Sequence, residues 1–165
     1  GPPMEFMTAD ICDDLESKAM VAEPLLRSFG GRPRFWGRVV TLKVHDDNVL
    51  VREALEEPGD GRVLVVDGGG SLRVALLGDR LAAIGAANGW AGVVIHGCIR
   101  DSREIAGIDL GVFALATHPR KSRKHGDGQK GVSVSFAGIT FRPGEYVYAD
   151  EDGLLLLTEP YDPGE

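Results

Sequence analysis

The pattern of hydrophobic and polar positions divides the chain into a central region and a C-terminal region of different character. In the central region, continuous apolar runs at residues 62–67 and 92–96 are typical of strands buried on both faces. Apolar residues at helical spacing predict helices over 48–55 and 81–88, the second with an alternative start near Ala75. Towards the C-terminus, short apolar segments separated by Gly and Pro turns predict hairpins.

The remaining predicted elements complete a mixed order of helices and strands. A short helix over 8–15 has Thr8 or Asp10 as its N-cap, and residues 25–31 are predicted to form a turn. Another short helix is predicted over 102–106, with strands over 35–44, 110–117, 131–137, 139–141, 146–149 and 154–158. The chain shows no internal repeat or linker, which predicts one α/β domain. We expect this domain to span 8–158, between an expression scar with a disordered N-terminus (1–7) and a C-terminal tail (159–165).

Composition narrows the class of protein. The net charge of -7 argues against direct binding of nucleic acid, which requires clustered Lys and Arg. The sequence has neither a signal pattern nor an apolar run long enough to cross a membrane. Two cysteines form no disulfide framework, so we expect a cytoplasmic protein in which Cys98 is a small buried thiol.

Three further features have both a structural and a functional interpretation. The basic segment 120–125 is either a solvated loop or a patch for an anion or a partner. The triplet Gly68–Gly69–Gly70 matches no nucleotide-binding fingerprint, which favours a close approach of the backbone to a ligand or a neighbouring subunit over nucleotide binding. His96 lies within an apolar strand and is expected to be buried structure.

The most informative spacing joins Asp79 to Arg100 and Asp101. A helix that begins at Gly78–Asp79 presents free amide groups to a carboxylate, although Asp79 could instead cap that helix. Arg100 and Asp101 follow an apolar strand, where open α/β sheets collect ligands, although the pair could instead form a surface salt bridge. Carboxylates suit a hard cation and the guanidinium suits a carboxylate or an enolate oxygen, so the set could hold a divalent metal and a small anion.

These residues belong to a longer set of motifs by which the chain resembles the RraA-like proteins. That family includes regulators of ribonuclease activity and class II 4-hydroxy-4-methyl-2-oxoglutarate (4-carboxy-4-hydroxy-2-oxoadipate) aldolases. The spacing Asp-x20-Arg-Asp is its catalytic signature, and Asp79–Asp101 reproduces it. The other matching segments are 29–31, 63–67, 90–92, 96–99, 107–111, 119–122, 143–144 and 149–153.

The resemblance implies a fold, an assembly and a set of residue roles. The fold is an α/β sandwich with a swivelling β/β/α core, and the assembly is a homotrimer or a hexamer with sites between subunits. Asp101 would bind Mg²⁺ or Mn²⁺ directly, Asp79 would act on the metal through water, and Arg100 would bind the substrate. The substrate carboxylate would be received by the backbone of Gly78, Asp79, Arg80 and Leu81.

The resemblance also implies two functions of different class. The first is a metal-dependent lyase for small 2-oxo acids, which releases pyruvate by retro-aldol cleavage or by decarboxylation of oxaloacetate. Longer aldolases of the family have a C-terminal segment that supplies a carboxylate to the neighbouring subunit. This chain is expected to lack it, which favours decarboxylation. The alternative is a regulator that binds and inhibits an RNase E-type endoribonuclease without catalysis.

Overall fold

The chain folds around one large mixed sheet, seen in a computed structural model that describes residues 5–163. The helices are α1 (Thr8–Leu15), α2 (Val49–Glu56), α3 (Asp79–Ala87) and α4 (Ser102–Ile105), with a 3-10 turn at Glu16–Lys18. The strands are β1 (Met20–Val21), β2 (Arg27–Ser28), β3 (Phe35–Lys43), β4 (Val63–Asp67), β5 (Ala75–Leu77), β6 (Gly92–Ile99), β7 (Gly111–Thr117), β8 (Gln129–Lys130), β9 (Val134–Phe136), β10 (Ile139–Phe141), β11 (Tyr146–Asp150) and β12 (Gly153–Leu157). This mixed α/β architecture confirms the predicted fold class.

The centre of the sheet is parallel and its margins are antiparallel. The strand order is β1-β12-β11-β3-β4-β6-β7-β2, with β5 paired to β6 and β8 paired to β3. Strands β3, β4, β6 and β7 run parallel, whereas β11, β12, β1 and β2 pair antiparallel with their neighbours. Every residue of β4 is buried, as its continuous apolar run predicts for a strand covered on both faces.

Three apolar clusters surround this sheet. One cluster joins the sheet to α2, α3 and α4, and a second joins its other face to the β9–β10 hairpin. The third cluster packs α1 against β11 and β12. Phe6 and Tyr161, which lie outside the expected range 8–158, are buried in that third cluster. Within residues 5–163, no helix is long and apolar enough to span a membrane.

Three local predictions were wrong. Residues 25–31 are not a turn throughout, because Arg27–Ser28 form β2 and pair with β7. Residues 75–77 do not begin the helix at 81–88; they form β5, because β6 offers them a parallel pairing partner. Helix α1 has Met7 as its N-cap residue, with no side-chain capping bond, so neither Thr8 nor Asp10 is the cap. The Thr8 side chain instead donates a hydrogen bond to Asp150, in strand β11.

The contact between Thr8 and Asp150 ties α1 to the end of β11. The Thr8 amide donates to Asp150 Oδ2 at 2.8 Å, and the Thr8 hydroxyl donates to Oδ1 at 2.6 Å. Both residues are buried, with 5% and 4% of their surface exposed. Burial raises the pKa of Asp150, but the hydrogen bonds from Thr8 and from the Asp152 amide outweigh it, so the pKa lies below its usual value.

Replacing Thr8 should therefore destabilise the fold in a pH-dependent way. Thr8→Val removes a buried hydrogen bond to a charged acceptor, and we expect a loss of about 1.5–3 kcal/mol in the free energy of unfolding at pH 7. Because the folded pKa of Asp150 is lowered, its contribution is complete above the unfolded pKa of about 4 and disappears as the pH falls through the folded value. Urea unfolding at several pH values measures this, with Thr158→Val, at an exposed threonine, as control. Equal destabilisation by the two variants would contradict the assignment.

Candidate active-site cleft

A cleft opens where β6 ends and α3 begins. Its volume is about 390 Å³. The lining includes each site residue predicted from the sequence, namely Gly78, Asp79, Arg80, Leu81, Arg100 and Asp101. The structure thus brings together residues that are separated by twenty positions in the chain.

Asp101, which lines this cleft, has a left-handed backbone conformation. Its φ and ψ are 58° and 42°, which is uncommon for a residue with a side chain. Its Oδ2 accepts a hydrogen bond from the Asp79 amide at 3.0 Å. A Cβ atom on Gly78 would lie 2.8 Å from the same oxygen, so only glycine leaves room for the carboxylate at this point. The strained backbone and the glycine both serve to place one carboxylate, a pattern typical of functional sites.

The N-terminus of α3 forms the floor beside this carboxylate. Gly78 is the N-cap residue and the Asp79 side chain makes no capping hydrogen bond, so the alternative in which Asp79 is a helix cap is wrong. The Asp79 amide is occupied by Asp101. Among the described residues, the amides of Arg80 and Leu81 have no backbone acceptor, as expected in the first turn of a helix. They remain available, with the positive end of the helix dipole, to a bound anion.

Arg100 is anchored through its backbone, and its side chain lines the cleft. Its amide donates to Leu77 O at 2.9 Å, and its Nη1 lies 3.5 Å from Pro119 O. Within residues 5–163 no ion pair joins this guanidinium to a carboxylate. The surface salt bridge considered for Arg100 and Asp101 is therefore wrong, and the guanidinium is free to meet an anion.

Part of the basic segment 120–125 forms another wall of the cleft. This segment is therefore not a solvated loop along its whole length. Lys121, Ser122 and Lys124 line the cleft, whereas Arg123 points away and donates to His45 O at 3.1 Å. Lys124 Nζ donates to Asn48 Oδ1 at 2.9 Å. The structure therefore favours the anion-patch interpretation for part of this segment. Residue spacing alone does not distinguish this interpretation from a solvated loop.

The cleft lowers the pKa of Lys124 through burial and through the neighbouring cations. Desolvation is the main cause that lowers the pKa of its ammonium group. The charges of Arg100, Arg52 and Lys121 add to this effect, and Asp47 opposes it. An anion bound in the cleft would relieve this repulsion, so the cleft is prepared for negatively charged ligands.

A second group of possible metal ligands, Asp47, His125 and Asp127, has a structural role. Asp47 is fully buried, and its oxygens accept hydrogen bonds from the amides of Val49 (3.1 Å), His125 (2.7 Å) and Gly126 (3.0 Å). Burial raises the pKa of this carboxyl, but the backbone donors outweigh it and hold the pKa below its usual value. Its oxygens are already occupied, so Asp47 orders the 123–126 loop and is poorly placed to bind a metal ion.

The remaining sequence candidates are also structural. Cys98 is buried, and burial raises the pKa of its thiol, which disfavours the reactive thiolate. His96, expected to be buried, is only half-buried, and its ring stacks on that of Phe136 with 4.8 Å between the ring centroids. A Cβ on Gly68 would lie 2.8 Å from His96 O, so this glycine permits a close approach to the backbone of β6 in the same chain.

A larger cleft, of about 770 Å³, lies at the opposite ends of β3 and β4. Its arginines are held by the protein: Arg38 Nε donates to Gly144 O at 3.2 Å, and Arg62 Nε donates to Gly59 O at 2.9 Å. Size alone therefore does not identify the site, and the smaller cleft has the chemically distinctive residues.

Fold and cleft together define a class of α/β proteins with an acidic residue and an arginine at the carboxyl end of a parallel strand. Within that class, the chain belongs to the RraA-like family, described as Aldolase/RraA, whose sequence profile matches residues 8–156. A protein from Aromatoleum aromaticum, named provisionally as a 4-hydroxy-4-methyl-2-oxoglutarate aldolase, is 58% identical over 93% of this chain and 96% of its own. The family resemblance seen in the sequence motifs is thereby confirmed.

Two solved structures share the fold closely. The RNA-processing inhibitor RraA from Thermus thermophilis superposes with a TM-score of 0.93 and 50% identity over 98% of both chains. A structure described as an S-adenosylmethionine:2-dimethylmenaquinone methyltransferase from Geobacillus kaustophilus gives a TM-score of 0.90 at 52% identity, over 94% of this chain and 96% of its own. Proteins of this one fold thus have names from three functional classes.

The contact between Gly78 and Asp101 leads to a first prediction about the site. Gly78→Ala forces the Asp101 carboxylate to move, and we expect the affinity for Mn²⁺ to fall by about tenfold or more, as when partners of metal ligands are lost. Electron paramagnetic resonance of free Mn²⁺ measures this. Gly107→Ala is the control, because its Cβ would lie an ordinary 3.6 Å from Glu104 O. Unchanged Mn²⁺ affinity in Gly78→Ala would contradict the role of the glycine.

Proposed function

We propose that this protein is a divalent-metal-dependent lyase that releases pyruvate from small 2-oxo acids. The observation that carries the proposal is the Asp101 carboxylate, fixed over Gly78 and beside Arg100 in a cleft rich in cations. The aldolase names of relatives such as the Aromatoleum aromaticum protein support the same reaction class. We further propose that it works as a homotrimer or hexamer, as its family resemblance implies.

The donor set of the cleft fits Mg²⁺ or Mn²⁺. Asp101 Oδ2 is held by the Asp79 amide, so the other oxygen of this half-buried carboxylate would be the metal ligand. Asp79 lines the same cleft and can hold a water ligand of the ion. Hard cations of this kind need only one or two carboxylates from the protein and retain several waters. When bound, the ion would supply Lewis-acid stabilisation of the developing negative charge.

The residues of the chain would bind and orient the substrate. The amides of Arg80 and Leu81 would receive the carboxylate next to the keto group, because the Asp79 amide is already committed to Asp101. Arg100 would contact the keto oxygen and stabilise the enolate oxygen as its charge develops. Of the backbone groups of Gly78–Leu81 that were expected to bind the substrate carboxylate, only these two amides would do so.

Both reactions pass through the enolate of pyruvate. In oxaloacetate the C3–C4 bond breaks, carbon dioxide leaves, and the bonding electrons form the enolate, which then takes up a proton at C3. In 4-hydroxy-4-methyl-2-oxoglutarate a base first removes the C4 hydroxyl proton, and cleavage of C3–C4 releases one pyruvate and the enolate of a second. Retro-aldol cleavage thus needs a base that decarboxylation does not.

Replacing the two central residues should abolish or greatly weaken turnover. We expect Arg100→Met to lower kcat by about 10²–10³-fold, the usual loss when a donor to an oxyanion is removed. Asp101→Asn should reduce pyruvate release to that of free Mn²⁺, and excess chelator should do the same to the unaltered protein. Coupling pyruvate to lactate dehydrogenase measures both, with oxaloacetate and with 4-hydroxy-4-methyl-2-oxoglutarate as substrates.

The control for this experiment is Asp13→Asn, at an exposed aspartate of α1 that is remote from the cleft in the fold. It should turn over both substrates like the unaltered protein. Normal turnover in Asp101→Asn would overturn the site assignment, and no release above free metal in the unaltered protein would overturn the proposed reaction.

A second candidate function is inhibition of an RNase E-type endoribonuclease. The Thermus thermophilis inhibitor, at 50% identity and a TM-score of 0.93, favours it. The two functions make different demands on the cleft, since inhibition by surface contact does not need Asp101. We therefore expect Asp101→Asn to lose pyruvate release in the lyase case, and to retain full inhibition of RNA cleavage if the protein is such a regulator.

A further inference from the structure

We propose that the larger cleft, at the amino ends of β3 and β4, binds a mononucleotide, with its phosphate group on Arg38 and Arg62 and its base against Trp36. This site is separate from the cleft that contains Asp101, which lies at the other end of the parallel strands. The evidence comes from unpaired arginine charge, an aromatic surface beside it and the size of the cleft. Neither the proposed lyase reaction nor inhibition of a ribonuclease requires this site.

Two arginines lie side by side in the larger cleft without an acidic partner. The parallel register that pairs Val39 with Val63 makes Arg38 and Arg62, one position earlier on each segment, neighbours across the sheet. Both line the cleft, and within residues 5–163 no ion pair joins either guanidinium to a carboxylate. Neighbouring like charges repel each other, so a bound anion would stabilise this pair.

The contacts that hold these arginines leave part of each guanidinium group for a ligand. Arg38 is held through Nε, which donates to Gly144 O at 3.2 Å. Arg62 donates through Nε to Gly59 O at 2.9 Å and through Nη2 to Pro58 O at 2.8 Å. Within the described chain, both Nη groups of Arg38 and the Nη1 group of Arg62 therefore remain available. A guanidinium fixed in this way is a pre-organised donor for phosphate oxygens, which it can bind through two parallel hydrogen bonds.

The acidic residues of the cleft do not cancel its positive charge. Four arginines and three acidic residues line it, which leaves an excess of positive charge in a protein whose net charge is -7. One acidic residue, Asp109, is bound to Arg32, with 3.0 Å between Oδ1 and Nε, and this contact lowers the pKa of the Asp109 carboxyl. The other two, Glu5 and Asp60, are exposed, so water and salt screen their charges.

An aromatic surface lies next to the arginines. Trp36 and Arg38 are two positions apart on β3 and therefore share one face of that strand. One side of the Trp36 ring is stacked on the buried Tyr148, with 5.3 Å between the centroids and 5° between the planes. Trp36 is only half-buried and lines the cleft, so its fixed ring can receive a base. The Arg38 guanidinium also lies 5.8 Å from the centre of the Tyr146 ring.

The size of the cleft and the arrangement of its groups favour a mononucleotide. Its volume of about 770 Å³ is in the range of pockets for small molecules. Inorganic phosphate would leave the aromatic surface unused, and an uncharged ring would leave the arginines unpaired, whereas a nucleotide engages both. A long nucleic acid is disfavoured, because the net charge of -7 would repel the rest of its backbone.

The experiment compares AMP with its two parts, adenosine and ribose 5-phosphate, by isothermal titration calorimetry on the full chain without added metal. We expect AMP to bind more tightly than either part by about tenfold or more. Arg38→Gln should weaken AMP binding by about ten- to hundredfold, the range of hydrogen bonds to charged groups, and leave adenosine binding unchanged. Trp36→Leu should weaken the binding of AMP and of adenosine by about five- to hundredfold, the range of base stacking.

The matched control is Arg103→Gln, at an exposed arginine of α4 outside the cleft, which should keep the full affinity for AMP. Trp36→Leu also removes packing against Tyr148, so its folding is checked by circular dichroism. Arg38 is exposed, so its variant tests the proposal even if the Trp36 variant does not fold.

Two results would overturn this proposal. The first is AMP binding that is no tighter than that of its parts, or that is unchanged in Arg38→Gln because AMP is held in the cation-rich cleft at Asp101. The second is found with a single-stranded oligoadenylate of ten nucleotides. If it binds far more tightly than AMP, and Arg38→Gln weakens that binding, the ligand is single-stranded nucleic acid and the mononucleotide assignment is wrong.

Discussion

The parallel pairing of β3, β4, β6 and β7 is the constraint on which the cleft depends. Parallel strands end at the same edge of a sheet, so the segments that follow β3 and β6 meet there. One supplies Asn48 and the buried Asp47, and the other supplies Arg100 and Asp101. Because β4 is buried on both faces, this alignment cannot shift without exposing apolar side chains to water.

Long elements and the Asp79–Asp101 spacing could be predicted because their signals are local. Strand β6 and the fully buried β4 follow directly from apolar runs. The short strands β1, β2 and β5 could not be predicted, because their pairing depends on partners that are distant in sequence. The Lys121–Lys124 wall was open to two interpretations for the same reason, since Asp47 and Ala75 hold it in place from far along the chain.

The structure also helps to compare the functions named among relatives of this chain. A methyltransferase needs space for its cofactor, and the glycine triplet after β4 would be one place to seek it. There, however, the backbone lies directly against His96, where a Cβ on Gly68 would be only 2.8 Å from a carbonyl oxygen. A space of about 430 Å³ does lie beside Asp67 and Gly69. The cleft at Asp101 differs from it in its excess of cations, which are Arg52, Arg80, Arg100, Lys121 and Lys124. The local chemistry therefore favours small anionic ligands.

The backbone anchoring of residues 120–126 has a consequence for how such a protein can change over time. Its fixed points are carbonyl and amide groups, held by Ala75, Asn48 and Asp47. Side chains on this segment can therefore be exchanged while its path across the sheet edge is preserved. Substitutions at these few positions would change which acids bind, and would leave the scaffold and the Asp101 carboxylate unchanged. One architecture can therefore acquire new substrates through a small part of its sequence.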